Sequence, residues 1–361
     1  MRIRIFQPIV PEYRRALFEG LAKLYGDAIE VCASDRIGGD LSVPLDLMRY
    51  DYDHPFVFIG PFQWQRGMSL RGLLKGDVIV ICGDIHVIST IWLAIKAKMR
   101  GVKVIWWGHH KSSTSTEFRV RIRLAIARFL SDIFLAYTRT GVEYLGSKGF
   151  RKGFVFATGN TIDQKPIRDA MANCSAPDPF HGKVGLLCCS VLREKVRLDL
   201  AIKAMADRKL ENVVLAVIGD GPLKAKYEEI AKEYGVEERI IWVGETRDQH
   251  VMAPWFLNAK AFVYPGSVGL SILHAMSYGL PVVVHDNAEH QMPEYEVMEN
   301  GRIGYCFREG DVNDLVEKVS LIISDERKRQ FMSEECKRLA YNSYSMEAMV
   351  GNFSKAIEAC R

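Results

Sequence analysis

The sequence predicts an α/β protein built from two doubly wound domains, and three observations carry that expectation. Short apolar runs alternate with amphipathic helical stretches along the chain, the alternation restarts after a proline-containing break, and 361 residues exceed what one hydrophobic core usually holds. The runs are IRIFQPIV, AIEVCAS, VIVICG, VKVIWWG, DIFLAYT and FVFATGN in the first half, then VGLLCCSV, VVLAVIG, IIWVG, AFVYPG and PVVVHD. Each is apolar at most positions, as strands buried on both faces of a parallel sheet must be. Stretches such as RALFEGLAKLYG and LAIKAMAD supply the intervening helices, so the pattern is βαβ repeated, once per domain. The break DAMANCSAPDPFHGK predicts domains over 1–168 and 183–341 with a linker over 169–182. A further amphipathic helix over 342–361 follows the end of the second sheet.

Composition narrows the class. With 48% hydrophobic and 25% charged residues and no low-complexity tract, the chain reads as an ordinary soluble globular protein. No apolar run approaches the roughly 20 residues of a membrane span. The opening MRIRIFQPIVPEY runs directly into a strand pattern, which gives an expectation of no signal peptide. Eight cysteines form no C-x-x-C pair and no zinc spacing, and a reducing, cytoplasmic setting is expected. Charge is divided unevenly: residues 1–165 carry 24 Lys/Arg against 15 Asp/Glu, and residues 166–361 carry 24 against 29. The basic half points to an anionic partner, a membrane surface or a phosphate-bearing acceptor, or else to a solvated face. No nucleic-acid partner is expected.

In open α/β sheets ligands bind beyond the carboxyl ends of the strands, and unusual residues gather there. VKVIWW is followed by Gly108-His109-His110-Lys111, a polar group where a buried strand opens to solvent. VVLAVI is followed by GDGPLKAKYEEIA, whose Gly219 opens a tight turn. SVLREKVRLDLAIKAM places Arg193, Lys195 and Arg197 between a strand and a helix, in position for a diphosphate or for solvent. In PGSVGLSILHAM, Gly266 and Gly269 flank a turn, and a helix begins near Leu270 with His274 one turn inside it. The free amides and positive dipole end of such a helix hold an anion without any basic side chain. Asp51-Tyr52-Asp53 fits a metal-binding D-x-D pattern but lies in a polar, proline-flanked stretch read as a loop, and no metal site is expected. EFRVRIRLAIARFLSD sets Arg119, Arg121, Arg123 and Arg128 beside an apolar stripe of Phe118, Ile122, Ala125 and Phe129. That is either a membrane-facing helix or a packed helix with a solvated basic edge.

The order VIGDGPLKAKYEEIAKEYGVEERIIWVGE, AFVYPGSVGLSILHAMSYGLPVV, MPEYEVMENGRIGYCFREGD resembles the C-terminal domain of family 4 retaining glycosyltransferases. SDIFLAYTRTGVEYLGSKGF and TGNTID resemble that family's segment before the linker. The resemblance implies the GT-B fold, two Rossmann-like domains facing a central cleft, with the last helix crossing back to the first domain. It implies a nucleotide sugar as substrate, no cofactor, and a glycan or lipid-linked glycan as acceptor. The family's two motif glutamates fall here on Gly266 and His274, so His274 takes the ribose role and the donor sugar loses its acid. The amides of Gly269, Leu270 and Ser271 remain as the diphosphate cradle, with Gly219, Gly244 and Glu294 of the Pro-Glu pair in the donor-binding set. The family's Arg and Lys positions fall on Val191 and Val196, which leaves Arg193 and Lys195 as the substitute cations. His109 matches the acceptor-side histidine, and Tyr13, Arg14, His110 and Lys111 are acceptor-side candidates.

The expected activity is sugar transfer from a nucleoside diphosphate with retention of configuration and without metal, at a cytoplasmic site with peripheral membrane association. The alternatives are a non-catalytic module that binds nucleotide sugar or glycan, and a sugar-nucleotide epimerase of similar fold.

Overall fold

The computed structural model describes residues 1–38, 40–46, 48–109 and 117–361, so His110 and Lys111 lie outside the described residues. The chain forms two compact units, residues 1–160 with 346–361, and residues 161–345.

The first unit contains β1 (Ile3–Phe6), α1 (Arg15–Tyr25), β2 (Ile29–Cys32), the short pair β3 (Arg36–Ile37) and β4 (Asp40–Leu41), and β5 (Arg49–Asp51). It continues with the hairpin β6 (Phe56–Ile59) and β7 (Phe62–Gln65), β8 (Val78–Cys82), α2 (Ile88–Met99) and β9 (Lys103–Gly108). It goes on through α3 (Glu117–Leu130), β10 (Ile133–Ala136), α4 (Arg139–Ser147) and β11 (Val155–Ala157). Seven strands pair in parallel in the order β11-β10-β9-β8-β1-β2-β5. Side chains alternate across this sheet: Ile3, Val78, Val80, Ile105 and Trp107 enter one core, and Ile79, Ile81, Val104 and Trp106 the other. The apolar runs are continuous because both faces are covered.

The second unit contains α5 (Lys165–Ala172), β12 (Val184–Cys189), α6 (Leu198–Ala204), β13 (Val213–Ile218), α7 (Lys224–Glu233) and β14 (Ile240–Gly244). It continues with α8 (Gln249–Asn258), β15 (Ala259–Tyr264), α9 (Ser271–Tyr278), β16 (Val282–His285), β17 (Gly304–Phe307), α10 (Val312–Ser324) and α11 (Glu326–Arg338). Its six parallel strands run β14-β13-β12-β15-β16-β17. The last helix, α12 (Met346–Glu358), belongs to the first unit. Phe353 meets the Trp107 ring edge-on at 5.0 Å, and the Ser354 hydroxyl pairs with that of Tyr25 at 2.8 Å.

Two expectations change, and one open alternative narrows. Residues 169–182 pack inside the second unit: 169–172 complete α5, and Phe180 is buried against Gly185, where an added methyl group would lie 2.6 Å from its ring. The prolines there shape a packed loop, and the units part at 160/161. Asp51 ends an edge strand rather than sitting in a loop; three residues with exposed side chains carry too little pattern to reveal one. The stripe Phe118, Ile122, Ala125 and Phe129 faces outward, while Val120, Leu124, Ala127 and Leu130 form the buried face of α3.

Phe353→Ala should destabilise the first unit by about 3–5 kcal/mol, the usual cost of emptying a buried aromatic site. Urea unfolding followed by tryptophan fluorescence measures it, and a loss below about 1 kcal/mol would show that α12 does not complete this core.

Candidate functional site at the switch point of the second sheet

Numbered within the second unit, its strand order is 3-2-1-4-5-6. The chain therefore reverses its direction of travel across the sheet between β12 and β15, and the loops after these strands diverge to leave a crevice at their carboxyl ends. Three loops meet there through their backbones. The Ser190 amide donates to the Ile218 carbonyl at 3.0 Å, the Leu192 amide to Asp220 at 2.9 Å, and the Ser267 amide to the Lys195 carbonyl at 2.8 Å. The loop after β12 is thus clamped between those after β13 and β15. Glycine makes the approach possible. A methyl group at Gly219 would lie 1.9 Å from the Ser190 carbonyl oxygen, and one at Gly266 would lie 2.0 Å from that of Lys195. Gly219 also has a φ of 134° and donates its amide to Gly244 at 2.8 Å. The glutamate that the resemblance calls for at 266 therefore has no room while loop 193–197 keeps this position.

From Gly266 the chain turns into α9. The Val268 amide donates to Gln291 Oε1 at 2.7 Å, and Gln291 in turn donates to the His285 carbonyl at 3.0 Å, which pins the turn to the end of β16. Among the described residues the amides of Gly269, Leu270 and Ser271 carry no hydrogen bond, and Leu270 gives no side-chain cap. They form the open, positive end of the helix dipole. Buried Glu294 stands beside this end, its Oε2 3.7 Å from where a methyl group on Gly269 would be. Arg193 and Lys195 are exposed and form no salt bridge among the described residues, whereas Arg197 is engaged with Asp199 at 3.1 Å. Arg197 is in the left-handed conformation at φ 51°, with its amide donating to the Glu194 carbonyl at 3.1 Å and its carbonyl accepting from Leu200 at 3.0 Å. Of the three cations, Arg193 and Lys195 are left for a ligand.

His274 Nε2 lies 2.9 Å from Gln249 Oε1, which also accepts from the Tyr278 hydroxyl at 2.9 Å. The ring packs against Phe256 at 4.6 Å and Tyr278 at 5.6 Å. An oxygen on that side assigns the ring proton to Nε2 and leaves Nδ1 as an acceptor. Sequence reasoning left either nitrogen open to a ligand; Gln249, at the first position of α8, decides between them.

At the carboxyl edge of the first sheet, Arg14 donates to Gln7 Oε1 at 2.6 Å and to the Tyr137 hydroxyl at 2.8 Å, and stacks on Trp107 at 4.3 Å. Its guanidinium lies 5.6 Å from the Tyr13 ring, and its Nε is buried with no hydrogen-bond partner among the described residues. His109 is exposed, with its ring 4.5 Å from Tyr137. Tyr13, Arg14 and His109 thus share one cluster. Sequence reasoning missed Gln7, Trp107 and Tyr137 within it, although each ends or follows an apolar run. Asp51 Oδ1 accepts the Asp53 amide at 3.0 Å, and no group of three or more metal-ligating side chains exists among the described residues.

A 3-2-1-4-5-6 parallel sheet with an open helix end at its switch point defines a Rossmann-like unit. Residues 177–345 match the family model for glycosyl transferases group 1, and the chain has the GT-B fold. The fold is shared with HepE from Anabaena, solved in complex with UDP: TM-score 0.72, 15% identity, 99% of this chain and 100% of that one. Among curated relatives, Protein CapJ of Staphylococcus aureus is 25% identical over 48% of this chain and 44% of its own length. N-acetyl-alpha-D-glucosaminyl L-malate synthase of Bacillus anthracis is 23% identical over 46% of this chain and 43% of its own. Both alignments cover less than half of either protein.

Burial lowers the pKa of His274 from its ordinary 6.5 to about 4. The fold keeps it neutral where the unfolded chain takes up a proton. Its stabilising contribution is complete above pH 6.5 and is lost as pH falls towards about 4. The melting temperature should fall through that window, and less steeply in His274→Asn; identical slopes would place the imidazole in solvent.

Proposed function

We propose that the chain transfers a sugar from a nucleoside diphosphate donor to a glycan or lipid-linked glycan acceptor, with retention of configuration and without a metal ion. The observation that carries this reading is the open amino end of α9 at the switch point, joined through the Lys195 carbonyl to a loop whose Arg193 and Lys195 have no ion-pair partner among the described residues. The departing group in such a transfer is a diphosphate, and its developing negative charge is what oriented amides and fixed cations stabilise. The family match and a solved neighbour that binds UDP support the donor class.

The remaining roles follow from chemistry. Nδ1 of His274, a lone-pair acceptor, takes a ribose hydroxyl as a carboxylate would. His109, with Tyr13 and Arg14, serves the acceptor and the transferred sugar. Gly266 offers the donor sugar no acid. That same feature favours a second reading, a module that binds nucleotide sugar without turnover.

Titration calorimetry with UDP tests the cradle. Arg193→Ala and Lys195→Ala should each weaken binding by about 1.5–3 kcal/mol, and His274→Ala by about 1–2 kcal/mol. If both cation variants bind like the parent, the cradle is misassigned. With a panel of nucleotide sugars, release of nucleoside diphosphate marks a transferase, an interconverted nucleotide sugar an epimerase, and binding alone the module. For a transferase, His109→Ala should leave UDP affinity nearly unchanged and lower turnover by about 10²-fold. Turnover should also survive EDTA; complete loss restored by manganese would overturn the metal-free reading.

A further inference from the structure

The helix α3 has two apolar faces, and only one of them is buried. Phe118, Ile122 and Phe129 lie at helical spacing on the outer face, where Phe118 is 70% and Phe129 76% exposed. The neighbouring α2 repeats the arrangement with Ile88, Trp92, Ile95 and Met99, the last 83% exposed. Isolated exposed apolar residues are ordinary, but two adjacent stripes are not. The stripes are continuous: Lys98, on α2, donates to the Phe129 carbonyl at 2.8 Å and lies 5.9 Å from the Phe129 ring. The hairpin β6–β7 extends the surface, with Trp64 5.9 Å from Trp92 and Phe58 and Ile59 each 61% exposed.

The same helices are strongly basic. α2 and α3 together hold six Lys/Arg and one acid, Glu117. The Lys96 ammonium sits 3.3 Å from the Trp92 ring centroid, so one side chain pair offers both an apolar body and a charge. Beside the α3 stripe opens a cavity of about 750 Å³ lined by Arg121, Arg128 and Lys148 together with Phe129, Tyr144 and Phe150. Cations and aromatic side chains lining one cavity suit a phosphate joined to an apolar chain.

We propose that this face of the first unit docks on a bilayer of acidic phospholipids, with lipid phosphates held among Arg121, Arg128 and Lys148. Apolar side chains enter the headgroup boundary while the Lys and Arg side chains stay at phosphate level. Charge decides the occupant. A second copy of this chain meeting the face through a two-fold axis would set the same cations against each other, whereas an acidic bilayer supplies opposite charge over the whole area. No helix among the described residues is long and apolar enough to cross a membrane, so the helices lie on the surface. The proposal does not rest on the donor site, and its test needs no nucleotide.

The full chain is sedimented with vesicles of phosphatidylcholine and of phosphatidylcholine mixed with phosphatidylglycerol. It should pellet with the acidic vesicles, less as salt rises, and not with the neutral ones. Arg121→Glu with Arg128→Glu should lower partition about tenfold or more. Phe118→Ser with Phe129→Ser should lower it by about tenfold. Phe331→Ser, an exposed phenylalanine of the second unit, should change nothing. All of these positions are exposed, and unchanged melting temperatures verify the fold. The proposal is overturned if no vesicle is bound, if neutral and acidic vesicles pellet the chain equally, or if both double variants partition like the parent. A concentration-dependent dimer that the Phe118/Phe129 variant abolishes would also overturn it, and would assign the face to a second copy.

Discussion

The backbone contact between the loop after β12 and its two neighbours governs the candidate donor site. Loop 190–197 touches the carbonyl of Ile218, the turn at 219–223 and the amide of Ser267 with no side chain in between. Everything built on that loop inherits its position: the two cations without salt bridges among the described residues, the strained Arg197 and the start of α6. The contact exists only because Gly219 and Gly266 lack a Cβ. A side chain at either position would push the loop away and take Arg193 and Lys195 with it. Site geometry and loop packing are one constraint here.

The same constraint explains the electrostatics. With glycine at 266 the region lacks one acid, while Glu294 remains beside the α9 terminus. Arg197 is neutralised locally by Asp199, so the positive charge free for a ligand comes from Arg193, Lys195 and three backbone amides. A nucleoside diphosphate matches that sum better than a neutral ligand does. His274 contributes no charge: burial holds its pKa near 4, and Gln249 fixes which nitrogen carries the proton. At the edge of the first sheet the opposite holds. Arg14 is oriented by Gln7, Tyr137 and Trp107, and its Nε is left without a hydrogen bond among the described residues.

The two helical surfaces of the first sheet serve different ends. On one side α1 and α12 close a core around Trp107 and Phe353, with Tyr25 and Ser354 joined by a hydrogen bond. On the other, α2 and α3 bury one stripe each and present a second stripe outward among lysines and arginines. A single helix of 14 residues thereby satisfies the sheet and keeps an apolar face in reserve.

Most of the architecture was legible in the sequence because parallel strands covered on both faces must be continuously apolar, and all eleven such runs are strands. The glycine turn, the helix starting near Leu270 and the cationic loop could be read for a related reason: turn chemistry and charge are local properties. What local pattern could not supply came from contacts distant in sequence. The exposed edge strand β5 has no unbroken apolar signal, and the four apolar residues of β6 form an exposed hairpin outside the main sheet. The proline-containing stretch at 169–182 reads as a linker until Phe180 is seen under Gly185. Periodicity alone shows that α3 has an apolar stripe, but not which of its stripes the sheet covers. Gln249 meets His274 across 25 residues, and Lys195 excludes a side chain at 266 across 71. Residue types determined which chemistry the strand ends could carry; only the tertiary structure, through backbone contacts between loops, decided which of those groups are free to carry it.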